Sequence, residues 1–346
     1  MDKYITKDVL KVEDDIIDEH TVFPEHVKRC QISCHVENLY KIKFPEHIIE
    51  YSFDYKFDQD ISHIQFPKTT ITIAIFDNEC DLHDMEFPES LQTLNLGIDT
   101  NLIDRIKYPK QLKSLSTSIL SKENAERLEN LEELSLYFGT EISSISFPMN
   151  IHTLDIYCDV SLKNVTLPNK IKVINYNSNC EIKDVIFPKS VEKIVFEHNY
   201  DYDISSLQIP IIDIQNCWKC YETFSSIPVT AKEVIICNFN DMDKLRIPYN
   251  CKLTINLCDI RKELIESIDT YKHLITMFTI PYKYFSHEKR NIFWCCYKIL
   301  QTHELAIYDD NDKLTSIIPK HTKITKKNIN TYFTEINASE LFLFTT

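Results

Sequence analysis

The stretch FPESLQTLNL, residues 87–96, contains the pattern that decides the fold of this chain. Leu91 is the third residue after Pro88, and Leu94 and Leu96 are the sixth and eighth. Apolar residues that alternate with polar ones are typical of a strand that is buried on one face. Because proline disfavours a helical conformation at the residue before it, the preceding segment is predicted to be non-helical. The stretch therefore predicts one strand that the chain enters after a proline.

The same arrangement recurs along most of the chain. Its first five prolines are 21, 22, 21 and 21 residues apart. The next interval is 39 residues, close to two periods, and the spacing then continues as 20, 20, 22, 18 and 20. Self-similarity at this period indicates a solenoid of stacked units. The pairs are Phe23-Pro24, Phe44-Pro45, Phe66-Pro67, Phe87-Pro88, Tyr108-Pro109, Phe147-Pro148, Leu167-Pro168, Phe187-Pro188, Ile209-Pro210, Ile227-Pro228 and Ile247-Pro248.

Alignment of the units on the proline produces three apolar columns, with Leu128 in the proline's place in the unit that lacks one. Thr70 and Thr117 are the exceptions in these columns. The pattern corresponds to the L-x-x-L-x-L core of a leucine-rich repeat. We therefore predict a β-rich leucine-rich-repeat solenoid with short coils of 20–22 residues and a parallel concave sheet. The third-position residues are Val27, Ile48, Leu91, Leu112, Leu131, Ile151, Ile171 and Val191; the sixth-position residues are Cys30, Tyr51, Ile73, Leu94, Leu115, Leu134, Leu154, Ile174 and Ile194.

Composition excludes several classes of function. The formal net charge of −14 repels phosphate backbones and anionic lipid, so we expect no nucleic-acid or membrane partner. The chain has only two glycines, whereas Rossmann and P-loop sites need glycines where the backbone approaches phosphate. No cluster of nucleophile, base and acid recurs in the columns. We therefore predict a protein that is not an enzyme and has no cofactor.

The chain shows neither a secretory signal nor a run of 18 apolar residues, which predicts a cytoplasmic protein, located in the host cytoplasm or virion if the chain is viral. In that setting its 12 cysteines are expected to be reduced thiols rather than disulfides. Cys217 and Cys220 form the one Cys-x-x-Cys motif. A structural zinc site requires a second ligand pair, and none follows at a suitable interval, so no metal site is predicted.

Two segments resemble a known repeat family. Phe57-Asp58-Gln59-Asp60-Ile61 leads into Phe66-Pro67, and Phe138-Gly139-Thr140-Glu141-Ile142 leads into Phe147-Pro148. Both look like FNIP repeats, short leucine-rich-type repeats with a Phe-Asn-x-x-Ile motif before the proline and strand. The resemblance implies a protein of the kind that occurs in amoebae and in giant DNA viruses. Some members carry an F-box before their repeats, but the segment before residue 22 is about half the length of that module.

The repeats also define the predicted domain organisation. Residues 1–21 are predicted to form an N-terminal cap, 22–258 the solenoid, and 259–346 a C-terminal α+β cap. Ser121 followed by strong helix formers predicts a short helix in place of a turn. Asp309–Asp312 is predicted to form a turn between two strands.

Residues that flank the buried strand positions are expected to face the concave side of the sheet. Most of them are small and polar. Tyr137 and Tyr157 lie in adjacent coils and are expected to be about 5 Å apart. Because tyrosine anchors many protein interfaces, they are the leading candidates for partner contact. The predicted partner-binding residues are Phe76, Glu133, Tyr137, Asp155 and Tyr157.

The sequence thus predicts a protein–protein interaction scaffold that uses the concave face. Two alternatives stay open. One is a structural or assembly component, for example of a giant-virus particle. The other is a substrate receptor of a ubiquitin ligase that lacks its own F-box. The sequence identifies neither the partner protein nor the oligomeric state.

Overall fold

The computed structural model divides the chain into two compact units, Met1–Val191 and Glu192–Thr346. The first is called unit 1 and the second unit 2. The structure describes residues 4–12, 17–33, 35–36, 39–54, 57, 61, 63–76, 82, 85–97, 106–118, 120–137, 147–157, 159, 161–198, 200–217, 226–236, 247–248, 251–256, 277–281, 299–300, 303–308 and 314–323.

Unit 1 is a stack of coils that each contribute one short strand to a parallel sheet. Strands β2 to β10 pair in parallel with their sequence neighbours, and β1 pairs with β2 in the antiparallel sense. This is the leucine-rich-repeat solenoid that the sequence predicts. The strands are β1 (Ile5–Thr6), β2 (Val9–Val12), β3 (Arg29–Ile32), β4 (Glu50–Phe53), β5 (Thr72–Ile75), β6 (Thr93–Leu96), β7 (Ser114–Thr117), β8 (Glu133–Tyr137), β9 (Thr153–Tyr157) and β10 (Val173–Tyr176).

The core of unit 1 is formed by the three predicted columns. Leu91, Leu94 and Leu96, for example, are all completely buried. The strands are in register, so residues of one column lie on top of each other; Leu94 pairs with Ile73 on one side and Leu115 on the other. Each side chain buried in this way stabilises the stack by roughly 1.5–3 kcal/mol through area transfer.

The proline begins a hydrogen-bonded turn that leads into each strand. The Pro88 carbonyl oxygen accepts a hydrogen bond from the backbone N–H of Leu91 at 3.0 Å. The same bond recurs through unit 1, for example from Val27 to Pro24 at 3.0 Å. It explains why the third residue after proline is buried, since the turn directs the chain back toward the core.

The return side of the coils contains further short turns. The N–H of Ile64 donates to the carbonyl of Ile61 at 3.0 Å, and Leu39–Lys41 form a 3₁₀ turn. One coil instead contains the predicted helix, α1 (Lys122–Arg127). Its N-cap is Ser121, whose Oγ accepts a hydrogen bond from the N–H of Asn124 at 3.2 Å. The helix therefore takes the place of a turn in this coil, as the sequence predicts.

The aromatic residues before the prolines pack into the core and against neighbouring coils. The ring centroids of Phe23 and Phe44 are 5.7 Å apart, and Tyr51 lies 5.0 Å from Phe44 and 5.1 Å from Phe66. Burial raises the pKa of Tyr51 and raises that of the Cys30 thiol to about 12. Most of the aromatic residues before the prolines are buried, whereas Phe66 and Phe187 are half-buried.

Unit 2 also contains a parallel ladder. Strands β11 to β16 pair in parallel in sequence order, and β17 pairs with β16 in the antiparallel sense, which confirms the predicted hairpin strands. The turn residues Asp309–Asp312 lie outside the described part, as does most of 259–346; the boundaries of the two caps therefore stay predictions. The strands are β11 (Lys193–His198), β12 (Ile211–Cys217), β13 (Glu233–Ile236), β14 (Lys252–Asn256), β15 (Met277–Pro281), β16 (Leu305–Tyr308) and β17 (Leu314–Ile318).

One coil of unit 2 departs from the predicted frame. Pro210 directly precedes β12, and Ile212 pairs with Ile194, so the sixth-position residue comes two rather than six residues after the proline. Asp213, the third residue after Pro210, therefore pairs with Val195 in the middle of the strand and does not lie in a turn before it. The alignment of Pro210 with the other prolines is wrong, because no turn separates it from the strand.

The cysteines follow the prediction at three described positions and not at a fourth. Cys30, Cys180 and Cys251 are free thiols. Cys217 is disulfide-bonded, so the expectation of reduced cysteines is wrong there. That expectation rested on the compartment, whereas a disulfide also depends on which two sulfurs the fold brings together.

Candidate interaction surface

The candidate site is the solvent-facing side of the unit 1 sheet. Side chains alternate between the two faces of a strand, so the residues between and beside the buried positions point outward. In β8 and β9, Leu134, Leu136, Leu154 and Ile156 are buried, whereas the residues between and beside them are half-buried or exposed. We call the outward residues of β3–β10, together with the residue that follows each strand or ends it, the exposed sheet face.

Tyr137 and Tyr157 form a stacked pair on this face. They are the last residues of β8 and β9, and they pair in register. Their ring centroids are 4.9 Å apart and the ring planes differ by 13°. The centroid distance is close to the strand spacing of about 4.8 Å, so in-register pairing places the two rings face to face. Both side chains are half-buried.

Asp155 lies at the centre of β9 and is held from both sides. Ser135 Oγ donates a hydrogen bond to Asp155 Oδ2 at 2.8 Å, and Asn175 Nδ2 donates to Asp155 Oδ1 at 2.6 Å. The three residues pair in register across β8, β9 and β10. The sheet thus fixes the position of the carboxylate before any partner arrives.

Glu133 and Phe76 complete the predicted set, but only Glu133 lies on the same strands as the tyrosines. Glu133 is the exposed first residue of β8. Phe76 follows β5, three strands from β8, which corresponds to about 14 Å across the sheet. A Cβ atom on Gly97 would come within 2.8 Å of Phe76 Cδ1, so the ring occupies the space above that glycine. Glu133 and Tyr137 are the two ends of β8, about 13 Å apart, so the structure brings together Tyr137, Asp155 and Tyr157 and places Glu133 and Phe76 farther away.

The exposed sheet face is acidic. Its carboxylates are Glu50, Asp54, Glu133 and Asp155, and its one basic side chain is Arg29. Arg29 Nη2 already pairs with Asp8 Oδ1 at 2.8 Å. That hydrogen bond lowers the pKa of Asp8 and raises that of Arg29. No basic side chain on β4–β10 offsets the carboxylates of this face.

The sequence analysis missed a second polar column, at the second residue after the proline. Thr69 Oγ1 donates to the Glu46 carbonyl oxygen of the preceding coil at 2.6 Å, and Asn130 Nδ2 donates to the Lys110 carbonyl at 2.9 Å. Small polar residues at this position were the available signal. These bonds join the turns of successive coils. Thr69 and Glu46 also line a groove of about 710 Å³ whose apolar lining includes Ile49 and Ile71.

Unit 2 carries charged pairs on its own sheet. Lys193 Nζ lies 2.7 Å from Asp213 Oδ2, and Lys252 Nζ lies 3.0 Å from Glu233 Oε1. The N–H of Gln215 donates to Asp213 Oδ1 at 3.1 Å. Burial raises the pKa of Asp213, and the ammonium of Lys193 opposes that increase. Each pair links two adjacent strands. Asp213 is almost completely buried.

The described residues contain no group of three histidine, cysteine, aspartate or glutamate side chains that could hold a metal ion. Within the same part of the chain, no helix has the length and apolar character needed to cross a membrane.

The solved structures that are similar to this chain include two leucine-rich-repeat proteins. CroV588, described as a novel circular leucine-rich-repeat structure, is similar with a TM-score of 0.49 and 15% identity, over 80% of this chain and 47% of its own. The chain thus spans about half the length of that protein. The leucine-rich repeat-containing protein LegL7 from Legionella pneumophila gives a TM-score of 0.35 and 14% identity, over 89% of this chain and 98% of its own. No family model and no curated protein matches, so the resemblance to FNIP repeats stays a prediction.

Proposed function

We propose that this chain is a non-enzymatic interaction scaffold that binds a protein partner through the exposed sheet face around Tyr137 and Tyr157. The observation that carries this proposal is the stacked tyrosine pair, 4.9 Å apart on a regular sheet. Stacking two aromatic rings on the outward side of a sheet is not required by the core, which is already filled by the inward columns.

The chemistry of the pair suits recognition. A tyrosine offers a large contact area with two rotatable side-chain bonds, so little conformational entropy is lost when a partner binds. The backbone register already fixes the relative position of the two rings. Interface residues that contribute most to affinity are enriched in tyrosine and cluster near the centre of the contact. The small neighbour Ser135, two residues from Tyr137 on β8, allows a partner's surface to approach the rings.

Affinity capture from cells that express the chain naturally tests the proposal. The wild-type chain is compared with the Tyr137→Ser/Tyr157→Ser variant by quantitative mass spectrometry of what each retains. The matched control is Tyr40→Ser/Tyr202→Ser, which makes the same chemical change at two exposed tyrosines away from the site. We expect the site variant to lose about 90% or more of a specific partner, because removing an interface anchor costs about 2 kcal/mol or more.

Equal retention by all three proteins would contradict the proposal. Circular dichroism of each variant establishes that the repeat fold is intact. Light scattering after size exclusion separates the alternative of self-assembly: a concentration-dependent oligomer that the site variant does not change would favour a structural component instead.

A further inference from the structure

We propose that the partner presents an arginine side chain to this surface, stacked on the tyrosine pair with its guanidinium paired to Asp155. This inference rests on the proposed function and specifies the chemistry of its partner. The proposed partner is a basic protein segment that binds the exposed sheet face at β8–β10.

Charge complementarity is the first argument. Among the outward residues of β5–β10, Glu133 and Asp155 are the charged side chains, and both are negative. The whole chain carries a formal net charge of −14. Opposite charge on a partner would steer its approach and suppress partners with acidic surfaces. A basic segment therefore fits this face, and an acidic one would be repelled.

The spacing between Asp155 and Tyr157 is the second argument. They are two residues apart on β9, so both point outward and their Cα atoms are separated by about 7 Å along the strand. An arginine that lies over a ring can reach a carboxylate at this distance. Its guanidinium is planar, stacks on aromatic faces and donates two parallel hydrogen bonds to a carboxylate, whereas the lysine ammonium is a strongly hydrated point charge.

Asp155 also has the capacity to accept further hydrogen bonds. Each of its oxygens accepts one bond, from Ser135 or Asn175. A carboxylate offers about four lone-pair positions, so about two remain for a guanidinium. Because Ser135 and Asn175 already fix the carboxylate, binding requires little further ordering.

The tyrosines have small neighbours in their own row of the sheet face. The preceding position in this row is Ser118, and the following one is Asn177. Both side chains are short, but Ser118 is 2% exposed whereas Asn177 is half-buried, so the arginine would approach from the side of Asn177. A cation over a tyrosine ring face is attracted by the ring quadrupole, with about 0.5–1 kcal/mol at exposed sites.

Fluorescence anisotropy with labelled peptides tests the arginine directly. The probe is a nine-residue peptide with three Gly-Arg-Ser repeats, and the comparison peptide has lysine in place of each arginine and the same net charge. We expect the wild-type chain to bind the arginine peptide at least threefold more tightly. We expect Asp155→Asn to weaken that binding about tenfold, which corresponds to one charge-assisted hydrogen-bonded pair.

The control variant is Asp54→Asn, which removes one negative charge from the same face, four strands before Tyr137. We expect it to change the affinity less than twofold. Equal losses for Asp54→Asn and Asp155→Asn would overturn the inference, because they would show non-specific attraction to an acidic protein. Equal affinity for the arginine and lysine peptides would overturn it as well.

Affinity capture of the natural partner with each variant distinguishes failure of this inference from failure of the proposed function. If capture is lost with Tyr137→Ser/Tyr157→Ser but unchanged with Asp155→Asn, the surface binds a partner without the arginine pairing, and only this inference fails. If capture survives the tyrosine variant, the proposed function fails. Loss of capture with both variants and retention with Asp54→Asn supports the two together.

Discussion

Thr70 in unit 1 and Asp213 in unit 2 are buried polar residues in different surroundings. In unit 1, Thr70 is completely buried in the third-position column, and its Oγ1 has no hydrogen-bond partner among the described residues. In unit 2, Asp213 is 1% exposed, and it contacts Lys193 Nζ and the N–H of Gln215. The apolar column around Thr70 tolerates its hydroxyl, whereas burial of the Asp213 carboxylate depends on its partners. A buried charge costs far more than a buried hydroxyl, so only the charge requires a counter-ion.

The comparison shows which polar groups the coils need for stability. A buried hydroxyl without a partner is a defect that the apolar column around it can outweigh. A buried carboxylate without its lysine would be a larger defect. The half-buried Asp155 is intermediate, since it is hydrogen-bonded by neutral side chains and remains partly hydrated.

The largest effect is expected for Lys193→Met. The change leaves the buried Asp213 carboxylate without its ammonium, and breaking a buried pair by removing one partner costs about 3–5 kcal/mol. Urea unfolding at pH 7 measures the loss. The matched control is Lys163→Met, which removes the exposed pair to Asp184 at 2.9 Å and is expected to have little effect.

Acidification should reduce that loss. Burial raises the pKa of Asp213 above its ordinary value of 3.8, and removal of Lys193 raises it further. A carboxyl with a raised pKa in the folded state favours folding below its ordinary pKa, and this contribution is lost as the pH rises through the raised value. The difference between Lys193→Met and the wild-type chain should therefore shrink below the pKa that Asp213 has in the variant. A difference that stays constant down to pH 4 would contradict the buried-pair account.

A gain in stability is expected for Thr70→Val in unit 1. Valine has nearly the same shape and removes a buried hydroxyl, whose desolvation costs about 1–3 kcal/mol in mutational data. Thermal unfolding should show a higher midpoint. The control is Thr72→Val, at an outward position on β5, which should leave the midpoint nearly unchanged. A lower midpoint for Thr70→Val would indicate that the hydroxyl has a partner.

The smallest effect on stability is expected for Asp155→Asn. Asparagine keeps one acceptor for Ser135 or Asn175 and loses the other, so unfolding should become easier by about 0.5–1.5 kcal/mol. Urea unfolding measures this change. A loss as large as that of Lys193→Met would show that Asp155 is a structural group of the sheet, and its effect on peptide binding could then not be assigned to contact with arginine.

The period of unit 1 could be predicted from its sequence because each coil repeats the same physical problem. Leu91, Leu94 and Leu96 must be buried in every equivalent coil, and the proline turn brings the third residue back to the core. The position of Asp213 could not be predicted in this way. Pro210 looks like the other prolines, but the strand follows it at once; the polar Asp213 at the third position after it indicates a departure without showing where the strand begins.

Part of the candidate site, the tyrosine pair, could also be predicted from the sequence. In-register coils placed Tyr137 beside Tyr157, and the predicted distance of about 5 Å agrees with the observed 4.9 Å. The two hydrogen bonds to Asp155 depend on side-chain rotamers in three strands, which the outward columns do not specify. The position of Phe76 depends on the space above Gly97, a feature of the neighbouring coil rather than of its own.

Hydroxyl-radical footprinting of the purified complex tests the central claim most directly, because it reads the solvent exposure of individual tyrosine side chains. The chain without partner and the captured complex are oxidised under the same conditions and compared by mass spectrometry. Our account predicts that oxidation of Tyr137 and Tyr157 falls severalfold in the complex, while Tyr40 and Tyr202 react as before. Unchanged oxidation of Tyr137 and Tyr157 in a stable complex would contradict it.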